Sequence, residues 1–220
     1  MEFFVGLDVS LEETHICVVD EGGRIIKETR AASERWSMDF MRDTLAVAWA
    51  GSQAPGLPEL RRAMAGAGSE CVLWGTGERA GVSEAAFLNG VAAAALDYDA
   101  LHLDALVHHD IVLLPAMLAA AEREHVDGRR FITALAAATD VMCRLGQATR
   151  EHSGWFYTSI HGVFAAAAGC AMLLGLKESA IRDAFGIALF HVGGTQQSMV
   201  EKALTKRAMS AFAARAGLFC

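Results

Sequence analysis

A mainly α-helical domain preceded by a short β-meander is the architecture this sequence predicts, and three observations carry it. The first is composition. Of 220 residues, 53% are hydrophobic and only 20% charged, and mean hydropathy is +0.29, enough apolar material for a large buried core and too much for a disordered chain. The second is a change of pattern near residue 35. Residues 3–30 are β-rich and turn-punctuated, whereas from Met38 onward the chain is rich in alanine and helical in period. The third is the shortness of the connections at Asp127-Gly128 and at Leu176-Lys177-Glu178-Ser179, as expected between antiparallel neighbouring helices.

The elements follow in order. Phe3-Phe4-Val5-Gly6-Leu7-Asp8-Val9-Ser10 is a short apolar strand and Thr14 to Val19 a second one. Asp20-Glu21-Gly22-Gly23 is a turn, and Arg24 to Thr29 is a third strand. Such a meander is too small to bury a core of its own. Ala31 to Ser37 is polar enough to read as a joint, giving two units, 1–35 and 38–220. Met38 to Gly51 reads as a helix, Leu57 to Ala65 as a short one, and Cys71 to Trp74 as a brief extended piece. Ser83, followed by Glu84, reads as the N-cap of a helix reaching Asp97. Further helices are expected at about 111–126, 129–147, 159–175 and 178–190, with a last one from about 207.

Several function classes are disfavoured at this level. A net charge of −7 gives the chain as a whole no electrostatic reason to hold nucleic acid. The five cysteines contain no CxxC pair, a pattern of reduced thiols that fits a cytoplasmic setting. Ser153 to Leu176 lacks any Asp, Glu, Lys or Arg and is long enough to cross a bilayer. It is nevertheless rich in Ala and Gly, contains His161 and is poor in the Leu and Ile that drive insertion, so it reads as a buried core helix.

Ionisable residues concentrate between two apolar helices, where Asp97, Asp99, Asp104 and Asp110 are interleaved with His102, His108 and His109. Groups so placed must be solvated, paired or functional, because uncompensated burial is costly. Acid–base chemistry needs a His or Asp tuned by such neighbours. A polar helix–helix loop would have the same residue types, and the spacing fits no standard metal template. Thr205-Lys206-Arg207 is a basic step after the uncharged stretch from His191 to Val200. Lys206 could neutralise a substrate carboxylate or simply open a solvated helix. Gly193-Gly194-Thr195 looks like a phosphate loop but lacks the preceding strand such loops require. Asp8, in a strand, is the type of position at which RNase H-like nucleases place a metal ligand.

A series of blocks resembles the MmgE/PrpD family. They are Asp43-Thr44-Leu45-Ala46-Val47-Ala48-Trp49-Ala50-Gly51-Ser52, Trp74 to Arg79, Asn89-Gly90 and Leu96-Asp97-Tyr98-Asp99. After them come His108 with Leu113-Leu114-Pro115-Ala116, Gly162 to Ala168, Leu173 to Leu176, and Lys206 with Phe212 to Gly217. The family includes 2-methylcitrate dehydratase and cis-aconitate decarboxylase. The resemblance implies a helical domain with a smaller α/β lid, no metal or organic cofactor, and a homodimer. It also implies proton transfer or loss of CO₂ beside a carboxylate of a small di- or tricarboxylate. By position it makes Asp97 and His108 catalytic, with His108 the proton carrier, and Lys206 the partner of a substrate carboxylate.

The chain departs from the family pattern at Leu101, where members have threonine. It does so again at Phe156-Tyr157, where many have His-Pro, and at Met209, often polar or His. The matched blocks also stop short of the lid, so the expectation is an incomplete domain of impaired activity. The alternative is a non-catalytic, dimerising fragment. Residues 3–30 separately resemble the start of DEDD, RuvC-like insertion-sequence transposases, with Asp8 as first acidic ligand, which suggests a fusion.

Overall fold

The computed structural model describes residues 37–64, 66, 68–149 and 154–220 in full, and the backbone course alone for 3–9, 14–20, 25–31 and 33–36. Strands β1 (Phe3–Val9), β2 (Thr14–Asp20) and β3 (Ile25–Ala31) form an antiparallel sheet in the order β1-β2-β3. Phe3 pairs with Asp20 and Val9 with Thr14, and the β2–β3 register shifts at Val18/Val19. The expected meander is therefore present. The side chain of Asp8, and with it the metal-ligand reading, lies outside the described residues.

Helix α1 (Ser33–Gly51) begins earlier than expected and absorbs most of the stretch read as a joint. Ser, Glu and Arg are residue types that a helix accepts at little cost. Its buried residues Ser37, Thr44, Val47, Ala48 and Gly51 recur at helical spacing. Helix α2 (Leu57–Ala63) has Pro58 and Glu59 at its start and Arg61 and Arg62 in its last turn, the polarity the dipole favours. A hairpin of β4 (Cys71–Val72) and β5 (Arg79–Ala80) follows. Asn89 ties it to the core, accepting from Trp74 N–H at 2.9 Å and donating to Val72 O at 3.0 Å.

Helix α3 (Val82–Ala94) corrects the Ser83 expectation. Its N-cap is Gly81, with no side-chain cap, because β5 ends at Ala80 and leaves a single connecting residue. Every residue from Ala85 to Ala93 is buried, as in a helix surrounded on all sides. Helix α4 (Asp110–Glu124) stops at His125, whose left-handed backbone (φ 52°) ends it two residues early. Helix α5 (Gly128–Ala148) is capped by Asp127 in the connection before it, Oδ1 accepting from Arg130 N–H at 3.0 Å. Helix α6 (Tyr157–Leu174) ends on Gly175 (φ 69°), with Leu176 N–H reaching back to Ala171 O.

Helix α7 (Glu178–Ala188) passes into a 3-10 turn at Leu189–His191. A short helix not expected from the sequence, α8 (Gln197–Val200), interrupts the uncharged stretch. A second 3-10 turn, Leu204–Ala208, leads into α9 (Met209–Phe219).

The core forms where α6 packs on α4, α5, α7 and α9, and where α3 packs on α4 and α9. Leu113, Leu114, Met117, Met142 and Leu173 are fully enclosed there. Two glycines set the helix spacing. A Cβ on Gly90 would stand 3.0 Å from Ala211, at the α3–α9 crossing, and one on Gly162 would stand 2.8 Å from Val112, at the α4–α6 crossing. Helix α6 is long and apolar enough to cross a membrane, but 78% of that window is buried inside the protein. Burial among neighbouring helices accounts for its composition, as the alanine-rich sequence suggested.

Candidate functional site

After α3 the chain turns at Asp97, which takes a left-handed backbone (φ 55°) that aspartate tolerates better than most residues. The following loop is drawn in by an isolated bridge between His102 and Val107, whose backbone bond is 3.0 Å. Ala105 N–H donates to His102 Nδ1 at 3.1 Å, so that imidazole is engaged in its own turn. Ala105 and Val107 are buried and anchor the loop, while Leu101, Leu103 and Tyr98 face outward.

Lys206 arrives from the far end of the chain, in the 3-10 turn before α9. Because Gly90 lets α9 lie close on α3, that turn stands beside the end of α3. Lys206 Nζ donates to Asp97 Oδ1 at 2.6 Å.

His108 is held twice. Its backbone N–H donates to Thr158 Oγ1 at 3.0 Å, and Thr158 is fully buried in the first turn of α6. Its ring Nδ1 lies 2.7 Å from Asp99 Oδ2, a carboxylate only 3% exposed. The distance is that of a charge-assisted hydrogen bond, although the two groups are not fully turned into line. The bond to Asp99 raises the His108 pKa above the ordinary histidine value, against the opposing effect of burial. The charges of Asp99 and Asp97 and the backbone of Ala100 act in the same upward sense.

His109 turns the other way, into the core. Its Nδ1 lies 2.6 Å from Asp110 Oδ1, both residues are buried, and Phe40 meets the imidazole edge-on at 5.1 Å. The polar segment thus splits into three carboxylate–cation or carboxylate–imidazole pairs with different outlooks. Asp97–Lys206 is open to solvent, Asp99–His108 is half-sheltered, and Asp110–His109 is enclosed.

Lys206 and Asp97 are thus in direct contact, while the contact of His108 is with Asp99, and Asp97 bears on it only through its charge. Asp99 and Thr158 were not singled out from the sequence. Asp99 was one acid among several in a polar run, and nothing in a linear reading says which of them turns inward.

The glycine pair has a structural use. Gly194 O accepts from Phe156 N–H at 2.9 Å, and Trp155 bridges to Thr195, so this loop is stitched to the start of α6. Met209 O accepts from Ser159 Oγ at 2.8 Å, and Ser198 Oγ is 2.6 Å from Met209 Sδ. Among the described residues no group of three or more His, Cys, Asp or Glu is arranged to hold a metal ion.

The chain belongs to the MmgE/PrpD family: residues 27–220 match the MmgE/PrpD N-terminal domain. The chain is 35% identical over 193 residues to a cis-aconitate decarboxylase-like protein of Aspergillus oryzae, an alignment covering 82% of this chain and 40% of that protein. It is 29% identical over 187 residues to a cis-aconitate decarboxylase of Aspergillus terreus, covering 80% of this chain and 38% of that one. The chain thus spans about two fifths of the length of these curated relatives.

Proposed function

We propose that this chain carries the proton-transfer and carboxylate-pairing residues of an MmgE/PrpD-type lyase acting on a small di- or tricarboxylate, of the 2-methylcitrate or cis-aconitate class. The observation that supports it best is the meeting of Lys206 with Asp97 beside a His108 whose imidazole is backed by a buried carboxylate. A lyase of this type must hold a polyanion and move one proton at a carbon next to a carboxylate. Lys206 supplies a cation for one carboxylate, and Asp97 keeps its ammonium in place or accepts from a substrate hydroxyl.

His108 handles the proton. In a dehydration it takes the proton from carbon, the C–H electron pair forms the new double bond, and the hydroxyl takes a proton from solvent and leaves as water. In a decarboxylation the C–C bond to CO₂ breaks, and its electron pair is quenched by the proton of the imidazolium. A raised pKa keeps more His108 in the proton-donating form near neutral pH.

Asp97, with 66% of its side chain exposed, and Lys206, with 33%, form an open shelf rather than an enclosed pocket. Water exclusion at this site then requires a covering element. A homodimer and a cytoplasmic setting complete the proposal. Cys71, Cys143, Cys170 and Cys220 are all free thiols, in keeping with a reducing compartment. The second reading is a non-catalytic, self-associating helical fragment fused to a transposase-like start. The bulky apolar side chains left exposed on Leu189, Phe190, Val200 and Leu204 favour it.

Incubating the purified chain with cis-aconitate or 2-methylcitrate, with products followed by NMR, separates the two. Turnover that falls about 10²-fold or more in His108→Asn supports the lyase. An inert, associating protein supports the fragment.

A further inference from the structure

The three pairs of the 97–110 segment give Asp97, Asp99 and Asp110 one partner each, and only the Asp99 pair leaves an imidazole both supported and in contact with solvent. Asp110 is enclosed with His109, and Asp97 is committed to Lys206. Asp99 is the remaining buried acid, 3% exposed, and its Oδ2 is 2.7 Å from His108 Nδ1, while the His108 side chain keeps 27% of its surface in solvent. A carboxylate buried this far is costly unless a cation or donor compensates it, and His108 Nδ1 is the group that stands at hydrogen-bond distance from it. The backbone is fixed independently by Thr158 Oγ1.

We propose that Asp99 is a positioning residue: by holding Nδ1–H of His108 it leaves Nε2 as the atom that takes and returns the substrate proton, with Thr158 clamping the backbone from α6. The inference rests on the lyase reading for its consequence in turnover, but the ring geometry can be tested without it. In the neutral state Nδ1 carries the hydrogen, donated to Asp99, and Nε2 presents its lone pair. When Nε2 takes a proton from the substrate carbon, the C–H pair stays on the substrate and the ring becomes an imidazolium still bonded to Asp99. Return of the Nε2 proton restores the starting tautomer. The charged groups acting on the ring are Asp99 and, more weakly, Asp97.

The test begins with unsubstituted protein labelled with ¹⁵N-histidine. Long-range ¹H–¹⁵N spectra above the His108 midpoint should show Nδ1 protonated and Nε2 bare, the reverse of the tautomer preferred by free histidine. An Nε2–H tautomer there overturns the proposal without any variant. In Asp99→Asn the side-chain amide can donate to Nδ1, so the tautomer should reverse and the His108 midpoint should fall. Asp99→Glu should restore both in part.

Where the chain turns over a carboxylate, Asp99→Asn should lower kcat about 10²-fold or more with KM changed less than about threefold. An unchanged midpoint and tautomer in Asp99→Asn would also overturn the proposal. The expected tautomer in a chain that turns over nothing would uphold the positioning role and sink the lyase reading, so the two fail separately.

Discussion

Lys206 Nζ and Asp97 Oδ1 stand 2.6 Å apart although 109 residues separate them in the chain. The contact depends on three independent features: the left-handed turn at Asp97, the close crossing of α3 and α9 at Gly90, and the 3-10 turn that presents Lys206. Both side chains retain solvent contact, so the pair adds little to stability, about 0–1 kcal/mol. Its consequence is placement of an ammonium group at Asp97, whose charge also bears on His108.

Lys206→Ala should therefore leave the melting temperature nearly unchanged while weakening binding of a small tricarboxylate by roughly 10–100-fold. That range corresponds to loss of one charge-assisted hydrogen bond, about 1.5–3 kcal/mol. Calorimetric titration of both proteins checks it, and equal affinities would remove Lys206 from the site.

The raised pKa of His108 has a defined sign in stability. The folded state binds the proton more tightly than the unfolded one, so the contribution is complete below the unfolded histidine value, about 6.5. It is lost as pH rises through the folded midpoint. Urea unfolding of the unsubstituted chain and of Asp99→Asn across this window should show a stability difference that shrinks with rising pH. His161, whose pKa is lowered by burial, acts in the opposite sense, withdrawing stability as pH falls. Comparison of the two proteins cancels the His161 effect.

Gly90→Val tests whether packing sets the site. Even a Cβ there meets Ala211 at 3.0 Å, so a larger side chain must push α3 and α9 apart. Expected losses are about 1–3 kcal/mol in chemical denaturation, together with weaker tricarboxylate binding. Gly128→Ala, where a Cβ meets nothing within 4 Å, serves as the control and should change neither.

The thiols should be slow to react in the native state. Burial pushes Cys71 up to about 11 and both Cys143 and Cys170 up to about 12, so almost none is thiolate at neutral pH. An aromatic disulfide reagent should label these three cysteines quickly only after denaturant is added. Rapid native labelling of Cys170 would contradict the packing of α6.

Phe190 is 89% exposed, and Leu189, Val200, Leu204 and Phe219 are exposed with it, from α7 to the end of α9. Apolar surface of this kind drives association. Sedimentation at rising concentration should show dimers or larger species, and a monomer throughout would count against the homodimer proposal.

Much of the helical architecture was legible because burial and period agree. Alanine-rich runs such as Gly162–Ala168 read as core and are core, and Asp127-Gly128 marks the short connection between α4 and α5 that its sequence suggests. Boundaries failed where tertiary contacts overrule propensity. Ser83 lost the cap to Gly81 because the hairpin runs directly into α3. Likewise, α8 formed within a stretch whose sequence has no helical signal.

In the candidate site, Asp97, His108 and Lys206 were named from their types and from the family resemblance, but Asp99 was not. Its role depends on which way the 97–110 loop folds, and that is decided by the His102–Val107 bridge and the burial of Ala105 and Val107. No periodic signal marks that choice.

NMR of the chain titrated with propane-1,2,3-tricarboxylate, a polyanion that lacks the hydroxyl and double bond of the proposed substrates, tests the carboxylate site most directly. The account predicts saturable shifts of the His108 ring and the Lys206 ammonium group that disappear in Lys206→Ala. Binding that leaves both signals unmoved, or binding undiminished in Lys206→Ala, would contradict it.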